Sequence, residues 1–138
     1  MNGKYFLDTN FLVYCFSEDE PEKQAACLRI LQEGQGKIHF VLSTQVLAEF
    51  AVVMIGKFKQ PPAKIKSIIE DLELFEVVQV DASLIKEAID IQTIHQLSFW
   101  DSTILAAAKN AHCHTVLTED MHHGARLAGL ILQNPFLS

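Results

Sequence analysis

Apolar positions along the chain fall into two kinds of run. Short stretches that are apolar on both faces predict strands at residues 4–8 (KYFLD), 38–42 (IHFVL), 76–80 (EVVQV), 114–118 (HTVLT) and 130–133 (LILQ). Longer stretches with apolar residues three and four apart predict helices. One covers about residues 21–32, where Ala25, Leu28, Ile30 and Leu31 form the stripe and Gly34 and Gly36 stop it. A second covers about 44–58, with Ser43 or Thr44 as its N-cap. Pro61 and Pro62 break it and open a third, reaching about Leu74. Asp81 caps a helix over 82–95 and Ser98 caps one over 99–111. Asp8 is a candidate cap for a helix beginning near Asn10, and EDMHHG (119–124) reads as a loop or short helix.

Strands alternating with helices, and apolar on both faces, predict an α/β fold. Its core is a central, mostly parallel sheet of about five strands flanked by helices. No linker, repeat or low-complexity stretch interrupts the 138 residues, so residues 1–138 are expected to form one domain. Ligands of such sheets bind beyond the carboxyl ends of the strands. Asp8 falls at one such end, and Thr118, Glu119 and Asp120 fall at another.

Composition narrows the classes. Hydrophobic residues make up 49%, enough for a packed core. No apolar run approaches the roughly 18 residues that cross a bilayer, and Asp8 and Asn10 interrupt the only signal-like stretch, so a cytoplasmic protein is expected. Cys15, Cys27 and Cys113 are an odd number without CxxC spacing, which argues against disulfides or a cysteine zinc site. The net charge of -6 argues against a protein that merely coats nucleic acid, but it suits a nucleic-acid enzyme whose acids hold metal ions.

Four acids stand beside apolar runs. Asp8 could simply cap a helix. Glu49 sits in VLAEFAVVMI with Val46, Val52 and Val53 at helical spacing and no Lys or Arg within four residues, so a desolvated carboxylate there needs a cation. Asp101 completes Ser98-x-x-Asp101, a capping-box spacing that leaves Phe99–Trp100 unexplained except as local packing. Asp120 follows a strand, where solvated acids are common. Singly, each has a structural explanation. Gathered at one sheet edge, they would repel one another unless a cation joined them, and Mg²⁺ or Mn²⁺ suits an all-oxygen site.

The order DTN, LAEF, WDS and LTED, followed by a last strand and NPF, resembles the PIN-domain ribonucleases, and among them the VapC toxins of toxin–antitoxin pairs. The resemblance spans essentially the whole chain and implies a PIN-like three-layer domain. It further implies an endoribonuclease dependent on Mg²⁺ or Mn²⁺, acting on single-stranded or structured RNA and restrained by a cognate antitoxin. It carries the family's acids onto Asp8, Glu49, Asp101 and Asp120, with Asp8 and Asp101 holding metal and the other two supporting. Its helper polar residues fall on Thr9 or Asn10, Ser43 or Thr44, and Thr118. The doublet Glu119–Asp120 offers two choices for the fourth acid. Strand alternation favours Asp120, which shares a side with Thr118, and leaves Glu119 solvated or salt-bridged.

Three further expectations follow. Lys57, Lys59, Lys64 and Lys66 lie in an acid-free stretch and could steer an RNA backbone. Apolar FAVVMIGKF suggests a homodimer, and an antitoxin Arg could meet the acids. Two rivals remain: a catalytically idle PIN-fold interaction module, and a zinc-binding hydrolase using His112, His114, His122 and His123.

Overall fold

The computed structural model describes residues 3–137. Five strands form where short apolar runs predict them: β1 (Gly3–Leu7), β2 (Ile38–Ser43), β3 (Glu76–Val78), β4 (Thr115–Leu117) and, last in the chain, β6 (Leu130–Gln133). A sixth, β5 (Arg126–Leu127), is a two-residue strand, too short to leave a periodic signal. It pairs antiparallel with β6 and all other pairings are parallel, in the order β3-β2-β1-β4-β6-β5.

Among the described residues six α-helices flank this sheet: α1 (Thr9–Phe16), α2 (Pro21–Gly34), α3 (Thr44–Val52), α4 (Pro62–Leu72), α5 (Ala82–His95) and α6 (Phe99–Asn110). The caps are those the sequence names. Ser43 accepts from Val46 N, Asp81 from Leu84 N, and Ser98 from Asp101 N. The predicted helix over 44–58 is α3 continued by a π-helical stretch, Val53–Lys57, before the two prolines. The predicted loop or helix at 119–124 is a run of bends and turns.

Burial explains the parallel sheet. Phe6, Leu7, Val41, Leu42 and Val116 are wholly enclosed, and so are Leu105 through Ala108 of α6. The small Ala106, Ala107 and Ala108 side chains let α6 lie close against its neighbours. Cys15, Cys27 and Cys113 are buried free thiols. No helix among the described residues is long and apolar enough to cross a membrane.

Strand order reverses between β1 and β4, so the connections leaving them run toward opposite halves of the sheet. A crevice opens at such a switch point, beyond the carboxyl ends of the strands. Asp8 and Thr118 are the first residues past β1 and β4, and Asp8 N donates to Leu117 O at 3.2 Å across the gap.

Candidate active site

Asp8 is the floor of the site. It is only 5% exposed, and both of its carboxylate oxygens are used. Oδ1 accepts from Thr9 N at 2.6 Å and Oδ2 from Thr118 Oγ1 at 2.7 Å. Burial pushes its carboxyl up to about 6, against the pull of these two hydrogen bonds, and the charges of Asp120 and Asp101 push the same way. No basic side chain contributes to the balance at Asp8.

Thr9 continues the network. Its Oγ1 donates to Glu49 Oε2 at 3.0 Å, and Gln45 Nε2 donates to Glu49 Oε1 at 2.7 Å. Glu49, half-buried on α3, therefore answers its missing cation with two neutral donors, one from its own helix and one from the first residue of α1. Asn10 reaches the other way, donating from Nδ2 to Asp120 Oδ2 at 2.8 Å. Thr118 Oγ1 also accepts from Asp120 N at 3.2 Å, which fixes the start of that loop. Asp120's carboxyl is raised, first by burial and then by the charges of Glu119 and Asp101, with Lys23 and Asn10 pulling down.

Asp101 differs from the rest. Ser98 caps its backbone N–H at 3.0 Å, but its carboxylate has no hydrogen-bond or ion-pair partner among the described residues. The capping box is therefore one-sided, and the acid is left to act on Asp8 and Asp120 through space.

The doublet resolves by partners. Tyr14 donates its hydroxyl to Glu119 Oε1, and Lys23 forms an ion pair with Glu119 Oε2 at 2.9 Å. Lys23 also lies over the rings of Tyr14 and Phe136, 4.9 and 5.2 Å from their centroids, so Glu119 is held in a cation–aromatic cluster with α1 and α2. Asp120, released from that cluster, faces Asn10 and the other acids.

Thr9, Asn10 and Thr118 thus join the acids, whereas Ser43 and Thr44 do not. Ser43 is spent on its helix cap, and Thr44 Oγ1 accepts from Val80 N at 3.1 Å, tying α3 to the segment after β3. Lys57, Lys59, Lys64 and Lys66 are exposed and bond to no acid among the described residues; Lys64 donates to Gln60, and Lys57 lies over Phe58. The histidines do not gather. His114 stacks edge-on against Tyr5, and His123 Nδ1 accepts from Asn134 N. Tyr14 and Lys23 were not legible as site residues, because their partner Glu119 is far away in sequence. Gln45 alone left a trace, four residues before Glu49 on one helix face.

Among the described residues no three carboxylate, histidine or cysteine side chains converge closely enough to enclose one ion. Mg²⁺, however, keeps several waters and is bound through one or two carboxylates. Asp8 and Asp101, both oxygen donors at an edge where the acids raise one another's affinity for positive charge, fit that chemistry.

Known proteins share this fold. VapC20 of Mycobacterium tuberculosis, a toxin that cleaves the sarcin–ricin loop, superposes with a TM-score of 0.68 at 20% identity, over 84% of this chain and 91% of its own. A toxin–antitoxin complex from Klebsiella pneumoniae gives 0.72 at 18% identity, over 96% and 98%. VapBC2 of Rickettsia felis, bound to a DNA fragment from its promoter, gives 0.70 at 20% identity, over 95% and 98%. No curated protein sequence matches the chain. At these identities the likeness concerns the fold alone, but residues 5–127, from β1 through β5, also match the PIN domain in sequence, and the chain belongs to the PIN-domain family.

Proposed function

We propose that the chain is a Mg²⁺- or Mn²⁺-dependent endoribonuclease and the toxin of a type II toxin–antitoxin pair. The observation that carries this reading is the buried Asp8, whose carboxyl sits at about 6 beside Asp101 and Asp120 with no cation facing it. Such an arrangement is costly for folding and gains stability only when positive charge arrives. Family membership and the fold shared with a loop-cleaving toxin and with toxin–antitoxin complexes support the same reading.

Asp8 and Asp101 would hold the metal, with Asp120 and Glu49 completing the acidic pocket. When bound, the ion supplies Lewis-acid stabilisation of the phosphate and lowers the pKa of water. Thr118 and Thr9 keep Asp8 in one rotamer through two short hydrogen bonds. Asn10 orients Asp120, and Thr9 with Gln45 holds Glu49 toward the same edge. The substrate is RNA, the restraining partner is an antitoxin whose basic side chain answers the acids, and the working form is a cytoplasmic homodimer. Lys57, Lys59, Lys64 and Lys66 supply a remote basic surface for the RNA backbone rather than contacts at the acids.

The test is cleavage of an end-labelled single-stranded RNA by the purified chain with Mn²⁺, with EDTA, and with Mn²⁺ restored. Cleavage should require the metal and return with it. Equal cleavage in EDTA would reject metal dependence, and no cleavage across a set of unrelated single-stranded and stem-loop RNAs would reject the nuclease.

A further inference from the structure

Trp100, the residue before Asp101, is 62% exposed, although an indole is among the side chains that gain most from burial. Phe99 holds it from behind, with ring centroids 5.3 Å apart and planes at 75°. It forms one wall of a groove of about 720 Å³ whose other apolar walls are Ala48, Val52, Val53 and Val80, with Val52 itself 72% exposed. The groove runs into the acid network through Glu49, which lines it and is bonded to Thr9 beside Asp8.

Charge decides what the groove can hold. No Lys or Arg lines it, and one carboxylate does, so it repels phosphate. Gln45 adds a second feature. It is 8% exposed, and its Nε2 is used on Glu49 Oε1 at 2.7 Å and weakly on the Trp100 carbonyl at 3.5 Å. Its Oε1 is the one buried side-chain polar atom without a hydrogen-bond partner among the described residues. An orphaned acceptor is costly, and Gln45 lines the groove, so a donor that enters and reaches Oε1 relieves that cost. The occupant must therefore be flat, apolar on its face, free of negative charge and supplied with N–H donors on its edge. An aliphatic side chain is apolar and uncharged, but it is neither flat nor a donor. An unpaired nucleobase meets them all.

Resting on the ribonuclease reading above, we propose that this groove is a base subsite: an unstacked base of the RNA next to the cut phosphodiester stacks on Trp100 and donates a hydrogen bond to Gln45. Sequence preference at that nucleotide then comes from the pairing of its edge with Gln45 and Glu49.

Trp100 is the only tryptophan of the chain, so its emission reports on the groove directly. The probe is a short single-stranded RNA that the full-length chain cleaves, titrated in EDTA so that it stays intact. Binding should quench emission, an abasic nucleotide beside the cut position should remove the quench, and Trp100→Ala should weaken binding by about tenfold, the loss expected of one stacked base. Trp100→Phe should restore most of the affinity, and Gln45→Leu should alter the preference among bases at that nucleotide. Mn²⁺ binding by Trp100→Ala, read by calorimetry without RNA, should be unchanged. RNA that binds by anisotropy equally to wild type and Trp100→Ala, without quenching, overturns the subsite and leaves the nuclease standing. Emission that shifts with protein concentration and not with RNA overturns it in favour of a second copy covering the groove. Failure to find any RNA that is bound or cut defeats the underlying reading instead.

Discussion

The two ends of the sheet treat carboxylates in opposite ways. At the amino end, Glu76 opens β3 and is met by Lys4 Nζ at 3.0 Å and His39 Nε2 at 2.9 Å. Burial pushes the Glu76 carboxyl up, but these two partners pull it below the ordinary range. At the carboxyl end, Asp8 is more deeply buried, has neutral donors only, and is pushed up by two further acids. One acid completes an ion pair that the fold itself closes. The other is left with a charge that the fold does not neutralise. Strained electrostatics of that kind persists where something outside the chain completes it.

The largest effect should come from removing that charge. Asp8→Asn or Asp101→Asn should each lower RNA cleavage at least a thousandfold, about 4 kcal/mol of barrier. For Asp8 the loss of activity should come with a gain of stability. A carboxyl moved from 3.8 to about 6 by folding costs roughly 3 kcal/mol once ionised in both states. Between those values the folded state still holds the proton that the unfolded state has released, so stability falls as pH rises through the window and levels off above it. Asp8→Asn escapes this. Its amide oxygen still accepts from Thr9, and its NH₂ can donate to Thr118. Urea unfolding in EDTA at pH 7.5 should show the variant more stable than wild type by up to about 3 kcal/mol, a gap falling to about a third at pH 4.5. A variant less stable at both pH values would mean that Asp8 is structural, and the contrast with Glu76 would collapse.

Much of the fold, and one side of this contrast, was legible in the sequence. β1, β2 and β6 were readable because short runs apolar on both faces suit a sheet covered by helices on both sides. Pro61–Pro62 and Asp81 mark helix ends through local chemistry that tertiary structure does not override. The acids at the carboxyl ends followed from strand direction alone. What stayed hidden depends on pairing across the chain. Lys4 and Glu76 meet only because β2 lies between β1 and β3, and Lys23 reaches Glu119 only once α2 is docked. Ser43 and Thr44 carry the right side chains at the right strand end, yet the helix cap and Val80 take them first. β5 is held by its pairing with β6 rather than by any pattern of its own.

A smaller effect separates the doublet. Glu119 resembles Glu76, an acid with its lysine supplied, whereas Asp120 resembles Asp8. Asp120→Asn should slow cleavage at limiting Mg²⁺ by tenfold or more, about 1.4 kcal/mol, and Glu119→Gln by less than threefold. The comparison uses one RNA and one metal concentration. The reverse order would move the fourth acid to Glu119 and break the rule that a paired acid is structural.

The smallest effect should be at Glu76 itself, which is the control for the whole comparison. The side chains of Lys4 and Glu76 remain 33% and 38% exposed, so solvent screens the pair and its net worth is at most about 1 kcal/mol. Glu76→Gln removes the negative charge but keeps an oxygen to accept from Lys4 or His39, so the loss should sit at the low end of that range. The sign with pH is opposite to that of Asp8. A carboxyl held below its ordinary range adds stability above that range and loses it as pH falls. Wild type and Glu76→Gln should therefore differ at pH 7.5 and converge in acid, the reverse ordering in stability from Asp8→Asn. High salt should shrink the difference, since the pair is exposed. Metal-dependent cleavage should be unchanged within twofold, because Glu76 lies at the far end of the strands from the acids. A Glu76→Gln enzyme slowed tenfold with unchanged stability would show that charge at the amino end reaches the site, and the two ends could no longer be treated as independent.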